Sequence, residues 1–337
     1  MRVALFAMAA MLGACAPPTD AVRVVGSSTV FPFSRTVAEH AARKLSMPAP
    51  IIEMTGTGGG FQQFCSRASG VDIANASRPI KPAEVELCAA NGVKDIIEFK
   101  VGSDGIVVAV APSHPLQKLT LKQFYLAVAK DIPAADGFMP NPHRRWSAID
   151  PSLPDIPIEV HGPPPTSGTR DAVAELALDE GARAIPSLAA LERDDPELFR
   201  ARARALREDG LWIDEGENDN AIIQLIRASP AAIGVFGFSF YDQSRTLVRG
   251  LPIDGEAPSI ESIRSGGYPL ARSLYFYVNA ARADADVARY VREFVGEAAA
   301  GELGYLREKG LVPLPPGERA RAEAAATMLA ARSPAPR

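Results

Sequence analysis

Three loops built almost wholly from glycine, serine and threonine each stand directly before a stretch with helical periodicity. They are Gly26-Ser27-Ser28-Thr29-Val30, Thr55-Gly56-Thr57-Gly58-Gly59-Gly60 and Thr166-Ser167-Gly168-Thr169-Arg170. The first two also follow apolar runs, at 22–25 and 51–54, that read as strands. Strand, glycine-rich turn and helix in that order point to an α/β architecture. The alternation continues downstream. Strands are expected at 23–25, 51–54, 72–74, 96–101, 105–111, 158–161, 233–238, 247–249 and 274–278. Helices are expected at 31–45, 60–69, 82–91, 121–127, 169–179, 188–208, 220–228, 259–265, 284–295, 301–309 and 318–331, with Pro196 breaking the sixth of these in two. A proline-rich stretch, 133–165, reads as a surface excursion around one buried strand. The expected class is α/β with mostly parallel sheets.

The loops also carry chemistry. A helix start exposes unpaired N–H groups and the positive end of the helix dipole, so it binds an anion without any cationic side chain. Three such starts predict a cradle for a small oxyanion, with hydroxyls adding hydrogen bonds. In the first loop, Ser28 or Thr29 is placed to cap the helix that opens near Phe31-Pro32, and a plain cap is the bland alternative. In the second, Gly58-Gly59-Gly60 lets backbone approach a ligand closely. It fails the dinucleotide fingerprint, which needs a glycine where Phe61 stands, and it lacks a Walker lysine. The third offers Ser167 and Thr169 hydroxyls around Gly168. Arg170 either faces a ligand or pairs with Asp171 or Glu175. A fourth element, 72–79, ends a strand at Ser77 and Arg78, the edge where open α/β sheets bind ligands. Arg78 can meet an oxyanion with a planar fork, or it is a surface arginine. Arg170 and Arg272 are the other candidates for the charge.

Bulk properties exclude several classes. The balance of 36 Lys and Arg against 40 Asp and Glu is not the basic footprint of a nucleic-acid binder. The apolar run 3–12 is too short to span a membrane and fits a secretion signal. Leu12-Gly13-Ala14-Cys15 resembles a bacterial lipobox, which would lipidate Cys15; ordinary cleavage around 14–16 is the alternative. Either places the mature chain outside the cytoplasm. The remaining cysteines, Cys65 and Cys88, read as a disulfide pair there, with two buried thiols as the alternative. The four histidines lack metal-ligand spacing, so neither metal nor cofactor is expected. Five arginines between 193 and 207 form either a docking face or, as preferred here, a solvated surface paired with Glu192, Asp195, Glu197 and Glu208.

Five motifs in order carry a specific resemblance. They are 26–32, 56–60, Asp72-Ile73-Ala74-Asn75-Ala76-Ser77-Arg78, Ser103-Asp104-Gly105 and Ser167-Gly168-Thr169-Arg170, supported by 234–241 and 268–275. Together the chain resembles phosphate-binding proteins of the PstS type, the extracytoplasmic receptors of phosphate ABC transporters. The resemblance implies a type II periplasmic-binding fold, two α/β lobes joined by two crossing strands with a ligand cleft between them. Residues 1–20 would be signal and linker, 21–107 with 272–337 the first lobe, and 108–271 the second. The crossings would lie near 105–111 and 270–277. The implied ligand set is Ser28, Thr29, Val30, Thr57, Gly58, Ser167, Gly168 and Thr169. Two departures stand out. The best-known branch has an aspartate at the end of the third strand, where an ungapped reading gives Ser77 and a one-residue shift gives Arg78. It also has an arginine where this chain has Pro163. Arg78 could restore the lost cation.

The expected function is therefore capture of phosphate, or a similar tetrahedral oxyanion, by a monomer that serves an ABC permease and touches the membrane only through a lipid anchor. The same fold could instead present its ligand to a sensor. A secreted serine hydrolase is the rival from another class. It lacks a G-x-S-x-G elbow, and His161, near Ser167 in sequence, has no evident paired acid.

Overall fold

Alternate side chains of the first strand face two different cores. In β1 (Arg23–Gly26), Val24 packs into one apolar cluster and Val25 into another. The sheet is thus covered on both faces, as expected where strands run parallel. The computed structural model describes residues 21–45, 47–135, 137–216 and 218–334. Cys15 and the signal segment lie outside the described residues.

The remaining strands are β2 (Ile51–Met54), β3 (Ile73–Ala76), β4 (Ile96–Val110), β5 (Asp131–Ala134), β6 (Gly137–Pro140), β7 (Val160–Gly162), β8 (Trp212–Asp214), β9 (Ile233–Gly237), β10 (Arg249–Gly250) and β11 (Ala271–Asn279). Their order is β2-β1-β3-β11-β4-β9-β7-β8, with β10 also on β4 and a separate β5–β6 hairpin. The outer strands are parallel: β2, β1 and β3 at one end, β9, β7 and β8 at the other. Between them β11 and β4 run antiparallel to their neighbours.

The sequence divides β4 into two strands, because Gly102-Ser103-Asp104 interrupts its apolar pattern. The structure has one continuous strand. Residues 96–105 pair with β11 and 106–110 with β9. The polar middle stays extended because Ser103 exchanges two backbone bonds of 2.9 Å with Val312. The β5–β6 hairpin and β8 were not expected, because proline, glycine and short length mask their patterns. The proline-rich stretch also holds a short helix, Trp146–Ile149, whose tryptophan is fully buried. The expected helix at 301–309 is only a 3-10 turn, Tyr305–Lys309. Pro196 does separate two helices, Pro186–Asp194 and Pro196–Ala203.

Helix α1 (Phe31–Lys44) buries Phe33, Val37 and Ala41 in the core that contains Val24. On the other face, α2 (Gly56–Phe64) and α3 (Pro82–Ala90) bury Phe61, Phe64 and Cys88 with Val25. A Cys65–Cys88 disulfide ties these two helices together. Helix α2 starts at Gly56, not at residue 60. Glycines are poor helix formers, but here close packing overrides propensity. A Cβ on Gly60 would lie 2.6 Å from the Cα of Gly26. Gly60→Ala should therefore lower the unfolding free energy by about 1–3 kcal/mol, read from urea melts. A loss below about 0.5 kcal/mol would mean that α2 can retreat from β1.

Candidate functional site: a cleft at the crossing strands

The first loop is shaped by one close backbone approach. Gly26 has φ +131°, and a Cβ there would lie 2.2 Å from the Asn75 carbonyl oxygen. Ser27 N–H donates to that oxygen at 3.0 Å, and Phe31 N–H donates to Ser27 O at 3.1 Å. The helical turn therefore opens at Ser27. The amides of Ser28, Thr29 and Val30 precede its first i→i−4 bond. Neither Ser28 nor Thr29 caps the helix as expected; the N-cap is Val30, without a side-chain cap bond. The Thr29 hydroxyl instead accepts from the guanidinium of Arg272. Asn75 Nδ2 donates to Ser34 Oγ at 2.8 Å, which pins β3 to α1 behind the loop.

The second loop meets the end of β3. Thr57 Oγ1 accepts the Ser77 N–H at 3.2 Å and lies 3.1 Å from Ser77 Oγ. The N-cap Thr55 makes no side-chain cap bond, and the opening turn of α2 borders a cavity. That cavity is about 940 Å³, and Thr57, Gly58, Ser77, Arg78, Glu175 and Arg272 are among the residues lining it.

Arg78 lines this space but does not supply a free cation. Both its terminal nitrogens bind Glu84, at 2.9 and 2.7 Å, and its guanidinium lies over the Phe61 ring. Burial pushes the Glu84 carboxyl up, but bonds from Arg78 and the Lys81 N–H together hold it below its ordinary value of 4.5. The pair fastens the β3 exit to α3. A depressed carboxylate contributes stability above its unfolded pKa and loses it as pH falls through the folded value. Arg78→Ala should thus cost about 1–2 kcal/mol at pH 7, and less in acid. Phosphate affinity should stay within about threefold, under 1 kcal/mol. A tenfold loss at intact stability would return the charge role to Arg78.

The third loop closes against the first. A Cβ on Gly168 would lie 3.9 Å from Ser28 O. Ser167 caps the helix that begins at Gly168, accepting the Thr169 N–H at 3.2 Å. Arg170 turns away. It donates to Pro163 O at 2.8 Å, pairs with Asp214 at 2.5 Å and stacks over Trp212. Its partner is thus neither Asp171 nor Glu175.

Arg272 is one of the cations that line the cavity and is nearly buried. It lies on β11 opposite Asp104 of β4 and is only 8% exposed. One terminal nitrogen donates to Thr29 Oγ1 and the other to Glu175. Asp104 approaches to 4.0 Å. Burial pushes the Asp104 carboxyl up; Arg272 and the Gly105 N–H pull it down, but burial prevails. Sequence reasoning had Arg272 as an alternative and Asp104 only as part of a motif. It missed Glu175, which sits on a π-helical turn, Val173–Leu178, a widening that ordinary helical periodicity does not reveal.

Other features are structural. His161 does have acid partners, contrary to expectation: Nδ1 lies 2.8 Å from Glu215 and Nε2 3.1 Å from Glu159. Both ring nitrogens are therefore occupied, and neither serves a serine. Among the described residues three of the five arginines pair with carboxylates, none of them one of the four expected, and Arg207 is buried and not solvated. Arg204 binds Asp179, Arg202 binds Asp131, Arg207 binds Asp209, and Glu192 takes Arg183. Among the described residues no group of acidic, histidine or cysteine side chains could hold a metal, and no helix is long and apolar enough to cross a membrane.

Comparison with known proteins agrees with this architecture. Residues 14–301 match the PBP superfamily domain. The chain is 33% identical over 309 residues to protein SphX of Synechococcus elongatus, covering 90% of this chain and 79% of that one. It is 26% identical over 327 residues to the phosphate-binding protein PstS of Staphylococcus saprophyticus, covering 90% and 86%. A crystal structure of a possible phosphate-binding protein from Planctomyces limnophilus superposes with a TM-score of 0.73 at 25% identity, covering 92% and 98%. The fold is the type II periplasmic-binding fold expected from the motifs, with β11 and β4 at the middle of the sheet. The chain belongs to the PBP superfamily, among relatives that include the SphX and PstS proteins.

Proposed function

We propose that this chain is an extracytoplasmic receptor that captures phosphate, or a closely similar tetrahedral oxyanion, and delivers it to an ABC permease. One observation carries the reading: Arg272, on the wall of the cleft, holds Thr29 at the uncapped opening of α1. A buried guanidinium, a hydroxyl and helix-start amides are the groups that bind a dianion in place of water. The names of the relatives point to the same ligand. The ligand set is Ser28, Thr29, Val30, Thr57, Gly58, Ser77, Ser167, Gly168 and Thr169, with Arg272 taking the charge role first given to Arg78. The first lobe comprises 21–107 with 272–337 and the second 108–271, and closure is a hinge motion between them. Lipidation at Cys15 keeps the receptor beside its permease.

Isothermal calorimetry with phosphate, arsenate, sulfate and molybdate tests the binding claim. Phosphate and arsenate should give saturable heats. Silence toward all four at millimolar concentration would reject the receptor.

A further inference from the structure

The nearly buried cation on the cleft wall already has an anion on it. Arg272 donates one terminal nitrogen to Glu175, and the remaining contacts of that guanidinium are incomplete. Its Nε is buried with no hydrogen-bond partner. At the end of the fork two planar donors, Nη1 and Nη2, lie side by side, and Glu175 takes only Nη1 while Thr29 takes Nη2. A tetrahedral oxyanion can span both. Glu175 is thus a workable but inferior partner for this arginine.

Its placement also allows it to leave. Its side chain is 41% exposed, against 6% for Arg272. It sits on the π-helical turn Val173–Leu178, just after the third loop, whereas Arg272 belongs to the crossing strand. Arg204 feels the Glu175 charge, but Asp179 grips its guanidinium and does most to raise its pKa. A displaced Glu175 therefore turns out into solvent. The other arginines considered for the charge are fixed differently. Arg78 is gripped by both oxygens of Glu84, and Arg170 by Asp214 and a carbonyl.

We propose that Glu175 is an internal anion that latches the empty cleft by occupying Arg272, and that an incoming oxyanion binds by displacing it. This rests on the oxyanion-receptor reading above. Such a latch lowers apparent affinity by the fraction of molecules in which it is open. It also couples binding to motion, because the displaced carboxylate lies on the helix of the third loop.

Calorimetry with inorganic phosphate on the full chain tests this. Glu175→Gln should tighten phosphate binding roughly tenfold, the result of removing a latch closed about nine-tenths of the time. Glu175→Ala should act in the same direction. In an Arg272→Gln background, Glu175→Gln should tighten binding by no more than about threefold, the part due to relieved repulsion alone, since the latch has lost its post. Unchanged or weaker binding by the Glu175 variants, with melts showing them folded, overturns the latch and leaves the receptor standing. Equal tightening with and without Arg272 also overturns it, because Glu175 would then act only through net charge. Failure of the unaltered chain to bind phosphate would instead bring down the receptor reading and the latch together.

Discussion

Arg272→Gln should weaken phosphate binding by two orders of magnitude or more, a loss of about 3 kcal/mol. The guanidinium is nearly buried, and water cannot readily replace it. Its loss would leave a bound dianion facing Asp104, with Glu175 close by and no cation between them. Repulsion then adds to the missing attraction, which is why the effect should exceed that of deleting a surface charge. The hydroxyl of Thr29 would also lose the donor that orients it. Arg272→Lys separates charge from shape. It keeps the cation and should restore thermal stability, but it lacks the planar fork and should recover only part of the affinity. Calorimetry gives the affinities and differential scanning fluorimetry the stabilities. A glutamine variant that binds phosphate within threefold of the unaltered chain would move the charge role elsewhere.

Cys65→Ser combined with Cys88→Ser should lower the unfolding free energy by about 3 kcal/mol, the loop-closure value for a link across 23 residues. The bond joins the end of α2 to the last turn of α3, inside a small core that Phe61, Phe64 and Val71 share. That core is the platform of the second loop, so Thr57 and Gly58 depend on it. Without the link, α2 is held to β1 mainly by packing, and the Thr57–Ser77 contact should loosen. Urea melts in the presence and absence of reductant measure the effect on the unaltered chain. Saturating phosphate should recover part of it, because a ligand that binds only the folded form stabilises it by mass action. An unchanged midpoint after reduction would show the link to be dispensable.

Much of the architecture was legible because the sequence states it locally. Apolar runs, helix starts and Pro196 marked the elements, and the ordered motifs implied the two-lobed fold. The failures have physical causes. Gly102 to Asp104 looks like a strand break, yet Val312, far away in sequence, keeps β4 extended. Glycines 56, 58 and 59 look like loop, yet tertiary contact draws them into α2. The glycine-rich turns could be read because backbone shape depends on them directly. The charge partner could not. Arg78, Arg170 and Arg272 are chemically alike in one dimension, and only their neighbours distinguish them. Glu84 engages Arg78 and Asp214 engages Arg170, and neither pairing was apparent from spacing. Glu175 was hidden by a π-helical turn that carries no sequence mark of its own.

The continuous run of β4 bears on how the molecule can bend. The strand's backbone is hydrogen-bonded along its whole length, to β11 over 96–105 and to β9 over 106–110, and the segment at Val312 straps it near its midpoint. Such a splint resists sliding and stretching but yields to torsion, the native tendency of paired strands. If the proposed lobes open, a splint of this kind confines the motion to one screw-like path of small amplitude.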